Sequence, residues 1–208
     1  MARATGPLFS MSASGTLNDT LVFSHWKGRA YVRTHVIPHN PRVAAQTGIR
    51  AMFKFLSQEW KPLDAPAKTT WLLEATAAKI SPFNRYVQEN MRRWREFKGP
   101  AQDNPPAEAA NGNTVTLDAP TGGPRNIVLA VTPSLATNMW GFVIYRDVAT
   151  IVTANWNLAI AVIPIDGTNE VLYTDAPLNA GTYHYRVALV SQDGTIGTAC
   201  ADQSGAAT

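Results

Sequence analysis

A chain of 208 residues, 45% hydrophobic and 16% charged, is too apolar for a disordered tail and long enough for one or two domains with cores of their own. No apolar run approaches the roughly 20 residues of a membrane helix. The longest, Leu158 to Ile165, is broken by Pro164. The net charge of +3 divides unevenly: residues 1–105 hold fifteen Lys or Arg against seven Asp or Glu, and residues 106–208 hold three against eight. A basic half and an acidic half facing different partners is the expectation. The opening residues, Met1 to Pro7, lack the apolar core of a secretory signal, so the protein is expected to be made and kept in a cytoplasm. Cys200 is the single cysteine and has no disulfide partner.

Residues 1–19 read as a flexible arm. From Gly6 to Asp19 the chain is Ser, Thr and Gly with isolated Leu8, Phe9, Met11 and Leu17. That is too little apolar surface for a local core, so the arm should order only against a partner. A β-hairpin follows. Thr20 to Trp26 and Arg29 to Ile37 are rich in β-branched and aromatic residues and are joined by Lys27-Gly28, where glycine supplies the positive φ of a tight turn. Along the second run Ala30, Val32, Thr34 and Val36 share an apolar face. Arg29, Tyr31, Arg33 and His35 share the opposite, basic face.

Three helical patterns come next. The first begins after Asn40-Pro41, an N-cap and a first-turn proline. It repeats Ala45, Ile49, Met52, Phe53, Leu56 and Trp60 at helical spacing and ends at Lys61-Pro62. The second opens at Asp64 and places Trp71, Leu72, Ala75 and Ala78 on one side. The third, capped by Ser81-Pro82, turns Phe83, Tyr86, Val87, Asn90, Met91 and Trp94 inward and distributes Arg85, Arg92, Arg93 and Arg95 over the rest. Residues 20–98 thus read as a basic docking domain, an α+β unit of hairpin and three-helix core. Residues 99–113, crowded with Gly, Pro and Asn, read as a linker stiff enough to hold two domains apart.

From Thr114 the hydrophobic period becomes two. Strand-like runs lie at Thr114 to Leu117, Asn126 to Thr132, Met139 to Arg146, Leu158 to Ile163, Glu170 to Tyr173, Thr182 to Val190 and Thr195 to Ala201. Seven short strands separated by turn residues predict an all-β antiparallel sandwich over 114–208. Trp140, Phe142 and Ile144 share a face by parity, as do Tyr183, Tyr185, Val187 and Leu189. Tyr183 sits where its hydroxyl reaches back to the corner at Asn179-Ala180-Gly181.

Three segments carry this further: Gly141 to Asp147, Tyr173 to Leu178, and Gly181 to Val187. Together they resemble a bacterial or phage fibronectin type III domain, which implies an immunoglobulin-like sandwich. The tryptophan usual on that family's second strand is missing from Asn126 to Thr132. Phe9 to Thr16, Phe23 to Arg33, Pro38 to Arg42 and Gln46 resemble small structural proteins encoded by tailed bacteriophages. That likeness implies a virion component. Over about twenty residues, Leu56, Trp60-Lys61, Leu63, Lys68, Trp71 and Ala75 are similar to a passage of the high-mobility-group box, but Ser81-Pro82 interrupts that family's long last helix.

No catalytic arrangement is legible. His25, His35, His39 and His184 lack metal-ligand spacing, and there is neither a phosphate loop nor a nucleophile elbow. The expectation is therefore a protein that is not an enzyme and takes no cofactor. The candidate docking residues are Phe9, Trp26, Lys27, Arg29, Tyr31, Arg33, Arg42, Arg50, Arg92, Arg93 and Arg95, aromatic anchors among cations whose guanidinium forks suit carboxylates or phosphates. The function expected is a virion structural protein, a capsid decoration or cement protein. It would dock on the major capsid protein or another virion protein, with homo-oligomeric contacts on the particle, and display its fibronectin-like domain outward. A tail or head-tail connector accessory and a nucleic-acid-binding protein using the basic helical half are the alternatives. A cell-surface glycan-binding module, which rests on the fibronectin-type analogy alone and would need exposed aromatics of which Trp156 is the only evident one, comes last. No membrane partner is expected.

Overall fold

The computed structural model describes residues 15–18, 20–37, 43–109, 114–133, 138–165 and 170–208. It is mixed α+β and divides into two compact units, residues 1–41 and 42–208. The sequence places the boundary at 99–113. The reason for the difference lies in how residues 42–208 pack.

The first unit is an antiparallel sheet of β1 (Gly15–Leu17), β2 (Leu21–Trp26) and β3 (Arg29–Thr34), in that order. Lys27 and Gly28 both take positive φ, 48° and 74°, in the expected turn. Gly15–Leu17 was expected to belong to the arm. It is a strand because β2 offers it a ladder, Gly15 opposite Phe23 and Leu17 opposite Leu21. The Thr20 amide and hydroxyl both donate to the Leu17 carbonyl at 3.0 Å, closing the turn between them. The rest of the expected arm, Gly6 to Ser14 and Asp19, lies outside the described residues.

In the second unit, α1 (Ala44–Glu59), α2 (Ala65–Ala78) and α3 (Pro82–Arg95) precede eight strands. Two caps are as expected. The Asp64 carboxylate accepts from the Ala67 amide at 3.0 Å, and the Ser81 hydroxyl accepts from the Asn84 amide at 3.1 Å. The first helix instead follows Val43, which makes no side-chain cap. The expected cap, Asn40-Pro41, lies outside the described residues.

The strands are β4 (Val115–Leu117), β5 (Thr121–Gly123), β6 (Asn126–Pro133), β7 (Met139–Asp147), β8 (Ala159–Pro164), β9 (Val171–Asp175), β10 (Gly181–Ser191) and β11 (Gln203–Ala207). One antiparallel sheet runs β11-β10-β7-β8. In the other, β4 and β5 pair successive parts of β6, and β9 pairs its other side. The strand expected at Thr195 to Ala201 is instead an irregular strap on β10, tied by the Gly197 amide to Leu189 and the Cys200 amide to Val187. The final strand is Gln203–Ala207, a segment of weak intrinsic β-preference that is held by its ladder on Gly181 to Tyr185.

Two cores result. Ile127, Leu129 and Val131 of β6 meet Phe142, Ile144, Tyr185, Val187 and Leu189 between the sheets. On the other face of β7, β8 and β10, Val143, Tyr145, Val162 and Val190 join Met52, Phe55 and Leu56 of α1, Trp71 of α2, and Tyr86 and Trp94 of α3. The central strands β7 and β10 are thus covered on both faces, by a sheet and by a helical layer.

A bulge decides which aromatic goes where. Val190 pairs Gly141 and the next residue, Ser191, pairs Met139, so Trp140 is an extra residue on β7. The parity of β7 flips there, and Trp140 turns to the helical side while Phe142 and Ile144 stay between the sheets. The Trp140 ring meets Phe55 edge-on at 5.0 Å, and its indole N–H donates to Glu59 at 2.7 Å. Close approach is possible because Gly141 has no side chain. A Cβ there would stand 2.9 Å from the Phe55 ring. Phe53, expected inside, is 50% exposed, and Phe55 takes the buried place. On α2, Trp71 and Ala75 are buried as expected, but Leu72 faces solvent.

Residues 99–109 are a fastened strap rather than an open linker. Asn90, fully buried on α3, donates to the Ala101 carbonyl at 3.0 Å and accepts from its amide at 2.7 Å. The Gln102 carbonyl accepts from the Trp71 indole at 2.6 Å, and the Gln102 amide donates to Gln192. Residues 110–113 lie outside the described residues.

Candidate functional site

The register of the first unit builds the site. Val22 faces Arg33, Ser24 faces Tyr31 and Trp26 faces Arg29, so the three pairs share one side of the sheet. Leu17, Leu21, Phe23, His25, Ala30, Val32 and Thr34 share the other, which is mostly apolar. Of the predicted docking residues, Trp26, Lys27, Arg29, Tyr31 and Arg33 are therefore brought together. Trp26 is 66% exposed, and the Lys27 ammonium lies 4.7 Å from the centre of its ring. No carboxylate among the described residues pairs with Lys27, Arg29 or Arg33. The apolar side is incompletely covered: Phe23 is buried, but Leu17 and Val32 are half exposed.

The docking residues predicted from sequence leave out Val36, which the alternation puts on the apolar face, and Ile37; both are largely exposed just beyond β3. The signal was present in the strand-like run through Ile37, which the ladder leaves after Thr34.

The other candidates separate from this cluster. Phe9 and Arg42 lie outside the described residues. Arg93 is buried, which overturns its expected role at an interface. Its guanidinium donates to the carbonyls of Gly99 at 2.9 Å and Gly194 at 2.7 Å and to Glu108 at 2.8 Å. It clamps the strap to α3 and to the turn after β10. Arg92 is exposed but paired with Glu89 and Glu96 along its own helix. Its hydrogen bond holds the Glu89 carboxyl below the usual carboxylate range, and Arg93 does the same for Glu108, aided by Lys98. Arg50 and Arg95 line a shallow surface groove with Trp156.

Charge follows the same division. Residues 1–41 contain four Lys or Arg and one Asp, and residues 42–208 contain fourteen of each sign. The net charge of +3 therefore resides wholly in the first unit. Within the second, several cations meet anions or carbonyls: Arg85 pairs Glu74, Arg146 pairs Asp175, His184 meets Asp202, and Arg186 donates to the carbonyls of Cys200 and Val152.

The polar network of the sheets serves the fold. The Tyr183 hydroxyl donates to the Asn179 carbonyl at 3.1 Å, the corner bond the sequence predicts. The buried Tyr185 hydroxyl donates to Asp175, which Arg146 also holds. Among the described residues no three His, Cys, Asp or Glu side chains converge as a metal site, and no helix is long and apolar enough to cross a membrane.

No family model and no curated protein matches the chain. Among solved structures it is similar to a β-1,2-glucanase from Parabacteroides distasonis, at 18% identity and a TM-score of 0.39, over 50% of this chain and 14% of that one. It is also similar to an AA10 lytic polysaccharide monooxygenase from Streptomyces lividans, at 13% identity and a TM-score of 0.25, over 42% of this chain and 59% of that one. The chain spans less than two thirds of either protein.

Proposed function

We propose that this chain is a non-enzymatic structural protein of a tailed-phage virion, a capsid decoration or cement protein. It docks through residues 1–41 on an acidic face of the major capsid protein or another virion protein and carries residues 42–208 as the displayed part. One observation carries the reading. The whole excess of positive charge lies in a small sheet whose cations have no carboxylate partner among the described residues and whose apolar side is half covered. Aromatic and arginine side chains set together on an exposed face are the residue types that dominate binding energy at protein interfaces. Repetition over a particle surface multiplies such contacts without enlarging any one of them. The likeness of residues 9–46 to tailed-phage structural proteins supports the same assignment.

The fibronectin type III reading of 114–208 is supported by strand pairing. Strands β4, β6 and β9 fall in one sheet and β8, β7, β10 and β11 in the other, a distribution that suits an immunoglobulin-like sandwich, and the Tyr183 corner bond is in place. Nucleic-acid binding is the second reading, favoured by Trp26 and Tyr31 interleaved with Arg29 and Arg33, which would offer stacking rings beside phosphate-binding forks. It loses its expected helical surface, because Arg92 and Arg93 are engaged within the chain.

Imaging and protein analysis of purified particles test the proposal. The expected result is the chain on the particle surface, released by Arg29→Glu/Arg33→Glu. Particles that lack the chain overturn the virion reading. Oligonucleotide binding that weakens linearly in log salt, with no particle association, moves the assignment to the second reading.

A further inference from the structure

Among the described residues no strand pairs with the outer edge of β3. The His35 amide donates to the Thr20 carbonyl at 2.7 Å, and the pairs Val22–Arg33, Ser24–Tyr31 and Trp26–Arg29 continue that alternation. The odd-numbered residues of β3 therefore turn their amides and carbonyls toward β2. Ala30, Val32 and Thr34 turn theirs outward, where no strand lies among the described residues. Six residues without proline or an inward charge make an edge competent to pair with another chain.

Resting on the docking reading above, we infer that β3 is an acceptor edge that takes one extended acidic segment of the partner protein as a fourth, antiparallel strand. Charge complementarity chooses this occupant. Arg29 and Arg33 sit four residues apart on one side, a separation of roughly 13 Å along a strand, and lack a carboxylate partner among the described residues. An added strand with carboxylates at the same separation places one opposite each arginine. Apolar side chains at the intervening alternate positions then face Ala30 and Val32 on the other side. The segment recognised reads acidic, apolar, small, apolar, acidic. A second copy of this chain fits poorly, because pairing two β3 edges about Tyr31 sets Arg29 against Arg33.

The test titrates the isotope-labelled full chain with two end-blocked peptides of identical composition. One contains Glu-Val-Thr-Val-Glu and the other Val-Glu-Thr-Glu-Val, which has the same charge but its carboxylates on the wrong side of the strand. The expected result is at least roughly tenfold tighter binding of the first, with slowed amide exchange at Ala30, Val32 and Thr34. Val32→Pro should abolish that binding, since proline removes an outward N–H that β2 does not use. Unchanged circular dichroism would show the sheet intact. Arg29→Glu/Arg33→Glu should prefer a peptide containing Lys-Val-Thr-Val-Lys.

Equal binding of both acidic peptides without amide protection overturns the acceptor edge, as does an oligothymidine strand that binds where the peptides do not. If the peptides fail while the chain stays on purified particles through residues 1–41, edge pairing falls and the docking reading stands. If the ordered peptide binds with amide protection but particles lack the chain, edge pairing stands and the virion reading falls.

Discussion

Most charged side chains that are buried or half-buried in residues 42–208 meet a partner within that unit, whereas Lys27, Arg29 and Arg33 of residues 1–41 meet no carboxylate among the described residues. Arg93 and Arg29 make the contrast concrete. Both are arginines in segments of basic character, yet one is buried against two carbonyls and a carboxylate, while the other lies exposed with no anion among the described residues. A count of cations along the chain treats them alike. What separates them is whether the fold supplies acceptors, so a candidate interface is identified by unmet bonding capacity rather than by charge alone.

This contrast can be broken by substitution. Trp140→Ala should destabilise the chain most, by about 3–5 kcal/mol, because it empties the socket between α1 and the sheet and strips Glu59 of its donor. A loss below about 1 kcal/mol in denaturant unfolding would mean that helices and sheets do not share one core. Arg93→Met should cost about 2–3 kcal/mol by leaving the Gly99 and Gly194 carbonyls unpaired. An unchanged midpoint would restore residues 99–109 to an open linker.

Tyr185→Phe should cost about 1 kcal/mol through its bond to Asp175. Burial and the Asp175 charge push the Tyr185 hydroxyl well above its ordinary pKa. The folded state thus holds this proton more tightly than the unfolded chain does. The contribution is complete at neutral pH and is lost as pH rises beyond the ordinary tyrosine value. Unfolding measured across the alkaline range should show a shallower decline in the variant.

Glu89→Gln should act in the opposite pH range and more weakly. The Glu89 carboxyl is held low by Arg92, so its contribution is present above the ordinary carboxylate pKa and disappears as pH falls through the depressed one. The loss should stay below about 1 kcal/mol, because the pair is partly solvated. Smallest of all should be the stability effect of Arg29→Glu/Arg33→Glu, within about 0.5 kcal/mol. The same variant should lose particle docking completely. A large fall in melting temperature would show that these arginines hold the fold.

Much of the local structure is legible in the sequence. Asp64 and Ser81 announce helix starts because a short polar side chain ahead of an amphipathic run has an orphan amide to accept from. Lys27-Gly28 announces its turn, and Tyr183 its corner bond. The site was legible in part, since the alternation of Arg29, Tyr31 and Arg33 places them on one side whatever pairs with β3. Trp26 joined them only through the cross-strand register. Gln203–Ala207 was not legible, because Gln, Ser, Gly and Ala show no strand preference and the ladder on β10 makes the strand. The choice of Phe53 over Phe55 as the inward residue fails, since the helical period accounts for a face toward the other helices but not for a second face under a sheet.

By itself the sequence determined the elements: where helices and most strands lie, which caps and turns bound them, and which side of β3 carries charge. These follow from short-range sterics and from periodicities that one segment contains. The tertiary structure decided which elements share a core, that one extra residue at Trp140 reverses a strand's facing, and that Arg93 is a clamp while Arg29 meets no carboxylate among the described residues. Those outcomes depend on packing and acceptor placement between segments far apart in the chain, which no local pattern encodes.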